Sequence, residues 1–147
     1  MKTVFITGIS GLLGTNLTNE LLDNGYYVKA VIRNPEKYFG KKTANLKLIQ
    51  SDLSSDFSSY LFNIEIMVHI AAETATNLLD YDDYDKINYR VTAKLFEESK
   101  KQNVKQFIFI SSANTIGYGN LGFLGNETLK IKSPFSDLFY VQSKIKT

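Results

Sequence analysis

Cysteine is absent from all 147 residues. That removes disulfide scaffolds, thiolate metal centres and cysteine nucleophiles together, and it suits a cytoplasmic location. Histidine occurs once, at His69, so a multi-histidine metal site is excluded and a catalytic triad lacks the partners to explain it; no metal is implied. No apolar stretch approaches the roughly eighteen residues of a membrane span. The apolar run after Lys2 is interrupted by Gly8, Ser10 and Gly11 and has no small-residue cleavage site behind it, so it does not read as a secretory leader. Strong charge of one sign is lacking too. A net charge of +2 with scattered lysines makes no electrostatic case for nucleic acid, and Lys41-Lys42 and Lys100-Lys101 read as solvated surface.

What is present is the composition of one globular domain, 44% hydrophobic and 22% charged. Apolar runs alternate with helical patterns, the signature of strand–helix units around a parallel sheet. Strands are expected at Lys2 to Ile6, Tyr27 to Ile32, Leu46 to Ile49, Ile64 to Ile70 and Phe107 to Ile110. Leu12, Leu13, Leu17, Leu21 and Leu22 recur at helical spacing, and Asn24-Gly25 ends that helix. Ile87, Val91, Leu95 and Phe96 mark a second helix over Asp83 to Gln102, acidic in its first turn and basic in its last. Ala113 to Ser133 reads as a long loop, after which Ser136 or Asp137 caps a last helix. The fold class is α/β, a Rossmann-type doubly wound parallel sheet of about five strands, incomplete as it stands.

The strongest local motif is Thr7-Gly8-Ile9-Ser10-Gly11-Leu12-Leu13-Gly14, set between a predicted strand and a predicted helix. In that setting Gly8 permits the tight turn, Gly11 lets a pyrophosphate approach the backbone, and Gly14 lets helix pack on strand. Ser10, Leu12 and Leu13 belong to the same phosphate-facing turn, where the helix N-terminus offers N–H groups and partial positive charge. A nucleoside triphosphate P-loop is excluded, because no Gly-Lys-Ser/Thr follows. Farther along, Tyr140 and Lys144 stand four apart, on one face of a helix, so the ammonium can sit by the phenol and favour its ionised form. Such a tyrosine serves as general acid or base toward a hydroxyl or carbonyl. Ser111 and Ser112 both stand at the end of the fifth strand as candidates to orient the same oxygen.

In order along the chain, T-G-x-x-G-x-x-G, Asp52-Leu53, His69-Ile70-Ala71-Ala72, Asn88, Ser111-Ser112-Ala113 and Tyr140-x-x-x-Lys144 resemble the short-chain dehydrogenase/reductase superfamily, in particular its extended, epimerase/dehydratase branch. The resemblance implies catalytic roles for Ser112, the second of the two serines, and for Tyr140 and Lys144, with Lys144 also holding the nicotinamide ribose. It places Asp52 and Leu53 beside the adenine, has Ala71 and Ala72 line the cofactor, and matches Asn88 to the family's helix asparagine. His69 reads as a cofactor-lining or core residue. The acidic run Asp80, Asp82, Asp83 and Asp85 lacks the glycine and terminal glutamate of a calcium loop and reads as solvated helix-start charge, with Tyr81 and Tyr84 packing beside the helix.

At the end of strand two stands Arg33 rather than an acid. A guanidinium there suits the extra phosphate of NADP, which makes NADP the expected cofactor and NAD the alternative. The implied activity is hydride transfer between nicotinamide and a sugar nucleotide or a small carbonyl or alcohol. A non-catalytic dinucleotide-binding or redox-sensing module is the alternative, and a structural subunit a third. The resemblance also implies a homodimer, through the helix of Asp83 to Gln102 and that of Tyr140. Family members usually run well past the Tyr–Lys helix, so residues 1–147 are expected to be a truncated dinucleotide-binding domain without its substrate-binding part.

Overall fold

The structure, a computed structural model, describes residues 1–56, 58–120 and 122–147. It divides into two compact units: residues 1–72 with 91–110, and residues 73–90 with 111–147.

The first unit holds a five-stranded sheet with strands β1 (Thr3–Thr7), β2 (Tyr27–Ile32), β3 (Leu46–Gln50), β4 (Ile66–His69) and β5 (Gln106–Phe109). All pairs are parallel and the spatial order is β3-β2-β1-β4-β5. The α/β doubly wound fold read from the alternating pattern is therefore present. Side chains alternate across a strand, and both faces here are apolar. Val4, Ile6, Val28, Ala30, Ile32 and Val68 form one face and pack with Leu17, Leu21 and Leu22 of helix α1 (Leu12–Asp23). Phe5, Met67 and His69 belong to the other, fully buried, and His69 reaches Thr92 of helix α3 (Thr92–Lys101). Helix α1 ends as Asn24-Gly25 predicts: Gly25 has φ +75°, its N–H donates to Leu22 O, and Tyr26 N–H donates to Leu21 O.

In the second unit lie helix α2 (Tyr81–Tyr84), most of a π-helical turn (Asp85–Val91) and helix α4 (Phe139–Lys146). Two expectations need correction. Asp83 to Gln102 is not one regular α-helix: helical geometry starts at Tyr81, and the seven residues from Asp85 are π-helical. Apolar spacing at 3.6 residues carries no signal for that wider turn, which is frequent at functional sites. Nor does Ser136 or Asp137 cap α4, whose N-cap is Leu138 with no side-chain hydrogen bond. Phe135–Asp137 instead forms its own 3-10 turn, and the Ser136 hydroxyl donates to the Asp137 carboxylate at 3.1 Å.

Candidate functional site

In the first unit the glycine turn leaves β1 for α1. Gly8 has φ +78°, and a Cβ there would stand 2.7 Å from the Ala71 nitrogen, so both the backbone angle and the neighbouring strand end require glycine. At Gly14 a Cβ would lie 2.2 Å from the Gly8 carbonyl oxygen, which is how closely helix and turn approach. The nearest atom to a Cβ at Gly11 is 3.5 Å away, ordinary contact, so packing alone does not require a glycine there. Gly11 is the N-cap of α1, with no side-chain cap and no acidic residue in the first turn. Neither the N-cap nor the first turn of α1 thus supplies a capping side chain or a carboxylate to its first N–H groups, the arrangement that accepts an anion. Ser10, Gly11, Leu12 and Leu13 are all exposed beside it.

Strand register brings other predicted residues to the same edge. Thr7 pairs with Val31 and with His69, so exposed Arg33 and half-buried Ala71 each lie two residues past that level, and Ala72 three. Ile32 pairs with Gln50, which puts Asp52 two residues past it; its carboxylate accepts from Ser54 N–H at 2.8 Å, and Leu53 is half-buried. All stand at the carboxyl end of a parallel sheet, where such folds bind ligands.

His69 is a core residue of this unit. It is fully buried, stacks on Phe109 and is held at both ring nitrogens. The Thr7 hydroxyl accepts from Ile70 N–H and Ala71 N–H, both at 3.2 Å. With both lone pairs engaged, its proton goes to His69 Nδ1 at 2.6 Å, and Nε2 donates to Thr92 at 2.9 Å. Thr7 had no signal in the sequence beyond its place in the motif, yet it ties the chain at Ala71 to the strand that feeds Gly8.

The second unit contains Ser112, Tyr140, Lys144 and Asn88. Ser112 caps the 3-10 turn Ala113–Thr115, its hydroxyl accepting from Asn114 N–H at 3.2 Å, while Ser111 is exposed. Tyr140 is half-buried, and Lys144, one helical turn on, is only 4% exposed; burial lowers its amine to about 8. A cavity of about 540 Å3 lies beside Tyr140, between Thr74, Thr76, Tyr84, Asn114 and Phe139. Asn88, 1% exposed, accepts from Glu73 N–H at 2.7 Å and donates to Glu73 O at 3.1 Å and to Ser143 Oγ at 2.9 Å. Ser143, fully buried, donates in turn to the Tyr140 carbonyl at 2.7 Å.

Ser143 escaped the sequence reading, since a serine between Tyr140 and Lys144 looks like helix filler until its burial is seen. Asp85 is a correction. Unlike exposed Asp80, Asp82 and Asp83 it is buried, and it accepts from Lys146 at 2.7 Å, Arg90 Nε at 2.9 Å and Tyr81 OH at 3.2 Å. The Lys146 hydrogen bond foremost holds its carboxyl below the usual range. Tyr81 and Tyr84 form the ends of α2 and pack on the Phe139 ring.

A model of the NAD-dependent epimerase/dehydratase family matches residues 4–141. The chain belongs to that family. Its similarity to sterol-4-alpha-carboxylate 3-dehydrogenase, decarboxylating, of Dictyostelium discoideum is 34% identity over 131 residues, covering 81% of this chain and 38% of that protein. UDP-glucose 4-epimerase of Vibrio cholerae is 33% identical over 129 residues, covering 82% and 38%. Among solved structures, MoeE5 in complex with UDP-glucose and NAD superposes with a TM-score of 0.79 at 27% identity, covering 98% of this chain and 46% of that one. As an epimerase/dehydratase-family chain it thus spans about two fifths of the length of these curated relatives. Among the described residues, no helix is long and apolar enough to cross a membrane.

Proposed function

We propose that this chain is the nicotinamide-cofactor part of an oxidoreductase, epimerase or dehydratase in which Tyr140 is the acid/base toward a sugar-nucleotide or small carbonyl or alcohol substrate. The observation that carries the reading is the turn at Gly8 and Gly14, where no side chain fits and the first turn of α1 supplies no carboxylate. A diphosphate fits that cradle: the first N–H groups of a helix have no partner within it, the helix dipole adds positive charge, and exposed Gly11 leaves the backbone open to approach. Bound there, the cofactor supplies hydride chemistry at C4 of its nicotinamide ring. Within the first unit Gly8, Ser10, Gly11, Leu12, Leu13 and Gly14 hold the phosphates, Asp52 and Leu53 border the adenine, and Ala71 and Ala72 line the path. MoeE5, a relative with NAD and UDP-glucose bound, supports this cofactor and substrate class.

Within the second unit Tyr140 borders the cavity and moves the proton at its phenolic oxygen. Ser112 orients the substrate oxygen. Lys144 brings positive charge to the helix face that carries Tyr140, and Asn88 fixes α4 through Ser143. Arg33, exposed at the edge beside the turn, supports NADP over NAD through its fit to a ribose phosphate.

Titration of the chain with NADH and NADPH tests the reading. Both should bind, NADPH more tightly, and Arg33→Ala should bring the two within about twofold. Equal affinities in the unaltered chain would remove the preference, and failure of both to bind would overturn the cofactor reading.

A further inference from the structure

The cavity beside Tyr140 carries chemistry that narrows its ligand, on the reading that Tyr140 acts on a substrate bound there. Leu78, Leu138 and Phe139 form an apolar wall, and Thr74, Thr76 and Asn114 give it uncharged hydrogen-bonding groups. Asp137 brings the one formal charge, and no lysine, arginine or histidine is among the described lining residues. Lys132 stands in the adjoining turn, where its carbonyl accepts from Phe135 N–H and Ser136 N–H, but it does not line the cavity, and neither does Lys144.

The Asp137 carboxylate accepts from the Ser133 hydroxyl at 2.7 Å and from the Ser136 hydroxyl at 3.1 Å. Those donors orient it without neutralising it. A carboxylate offers about four acceptor sites, so it retains capacity for the hydroxyls of a ligand, in bonds strengthened by its charge. An aromatic and aliphatic wall facing hydroxyl and carboxylate groups suits a ring with one apolar face and several hydroxyls. A ligand carboxylate would meet Asp137 with no lining cation to offset the repulsion. Because Asp137 is exposed, solvent screens that repulsion and limits the discrimination.

We propose that this cavity selects a hydroxylated ring that bears no carboxylate, and that Asp137 is the residue determining the choice. The test titrates the whole chain by ligand-observed NMR with UDP-glucose and UDP-glucuronic acid, probes that differ by a hydroxymethyl group against a carboxylate. NADH is titrated in parallel. UDP-glucose should bind about tenfold tighter, and Asp137→Asn should reduce the ratio to about twofold, mainly by improving the acid. Asp137→Ser, checked with the first variant for an unchanged melting profile, serves if the asparagine variant does not fold. Equal binding of the two probes, tighter binding of the acid, or a ratio unchanged in the folded variant overturns the proposal. If NADH binds and neither probe does, the proposal falls while the cofactor reading stands; if NADH fails as well, both fall.

Discussion

Tyr140 and Lys144 share a helix face, but their surroundings differ: the phenol reaches a cavity, and the amine is almost wholly buried. A phenol at the cavity wall can exchange a proton with a ligand, whereas a buried ammonium acts through its field on what stands nearby. Where turnover is measured, Tyr140→Phe should therefore lower kcat by about 10²- to 10⁴-fold and leave the NADH dissociation constant nearly unchanged, a split read by steady-state kinetics beside a binding titration. Lys144 has a signature in stability. Its amine, lowered to about 8 from 10.5, gives the folded chain fewer bound protons than the unfolded chain between those values. Stability from this group therefore rises with pH across that window. Compared with Lys144→Met by urea unfolding, the wild-type chain should gain relative stability between about pH 7 and about pH 9.5; a pH-independent difference would contradict this. The pair was legible because spacing of four on a helix is a sequence property. That Ser143 between them is buried and bonded to Asn88 was not, because nothing local distinguishes a serine facing another element from one facing water.

At the scale of elements, α4 and the residue that follows it are anchored at several points by the π-helical turn, beside the packing of Tyr81 and Tyr84 on Phe139. Asn88 Nδ2 holds Ser143, the Asn88 carbonyl accepts from Thr147, and Asp85 receives Lys146. Ser143→Ala would leave the buried Asn88 amide short of an acceptor, a loss of about 1–3 kcal/mol, measurable as a lower urea midpoint; Ser143→Thr should recover part of it. Asp85→Asn should also destabilise, with a pH dependence of its own. Its carboxyl lies below the ordinary range in the folded chain, so its contribution is present above the unfolded value and is lost as pH falls through the folded one. The wild-type advantage over Asp85→Asn should therefore shrink in acid. The acidic run looked like helix-start charge, which holds for Asp80, whose side chain accepts from Asp82 N–H at 3.1 Å. Asp85 differs because α4, over fifty residues later, folds back on it, a tertiary fact outside any local window. The strands were legible to within two residues at either end, since a sheet covered on both faces demands continuous apolar runs.

For the whole molecule, each unit is assembled from two separated stretches of chain. The first has a central strand, β1, paired on both sides and buried from Val4 to Thr7, whereas the second carries the exposed residues 118–120 and 122–128. Hydrogen exchange should therefore find β1 amides the slowest and residues 118–120 and 122–128 among the fastest. Comparable protection in the two segments would mean the loop is held more firmly than its exposure implies. NADH at about a hundred times its dissociation constant should add about 2.7 kcal/mol to the stability of the fold that binds it, and Gly14→Ala, which forces a methyl against the Gly8 carbonyl, should abolish most of that gain. The corner that closes α1 also bears on how the molecule ages. Asparagine followed by glycine is the pair most open to spontaneous deamidation, in which the glycine nitrogen attacks the asparagine side chain. Here the Gly25 N–H is engaged by Leu22 and the Asn24 amide donates to Glu20 at 2.9 Å, so Asn24 should keep its amide in storage for as long as the chain stays folded and lose it once unfolded.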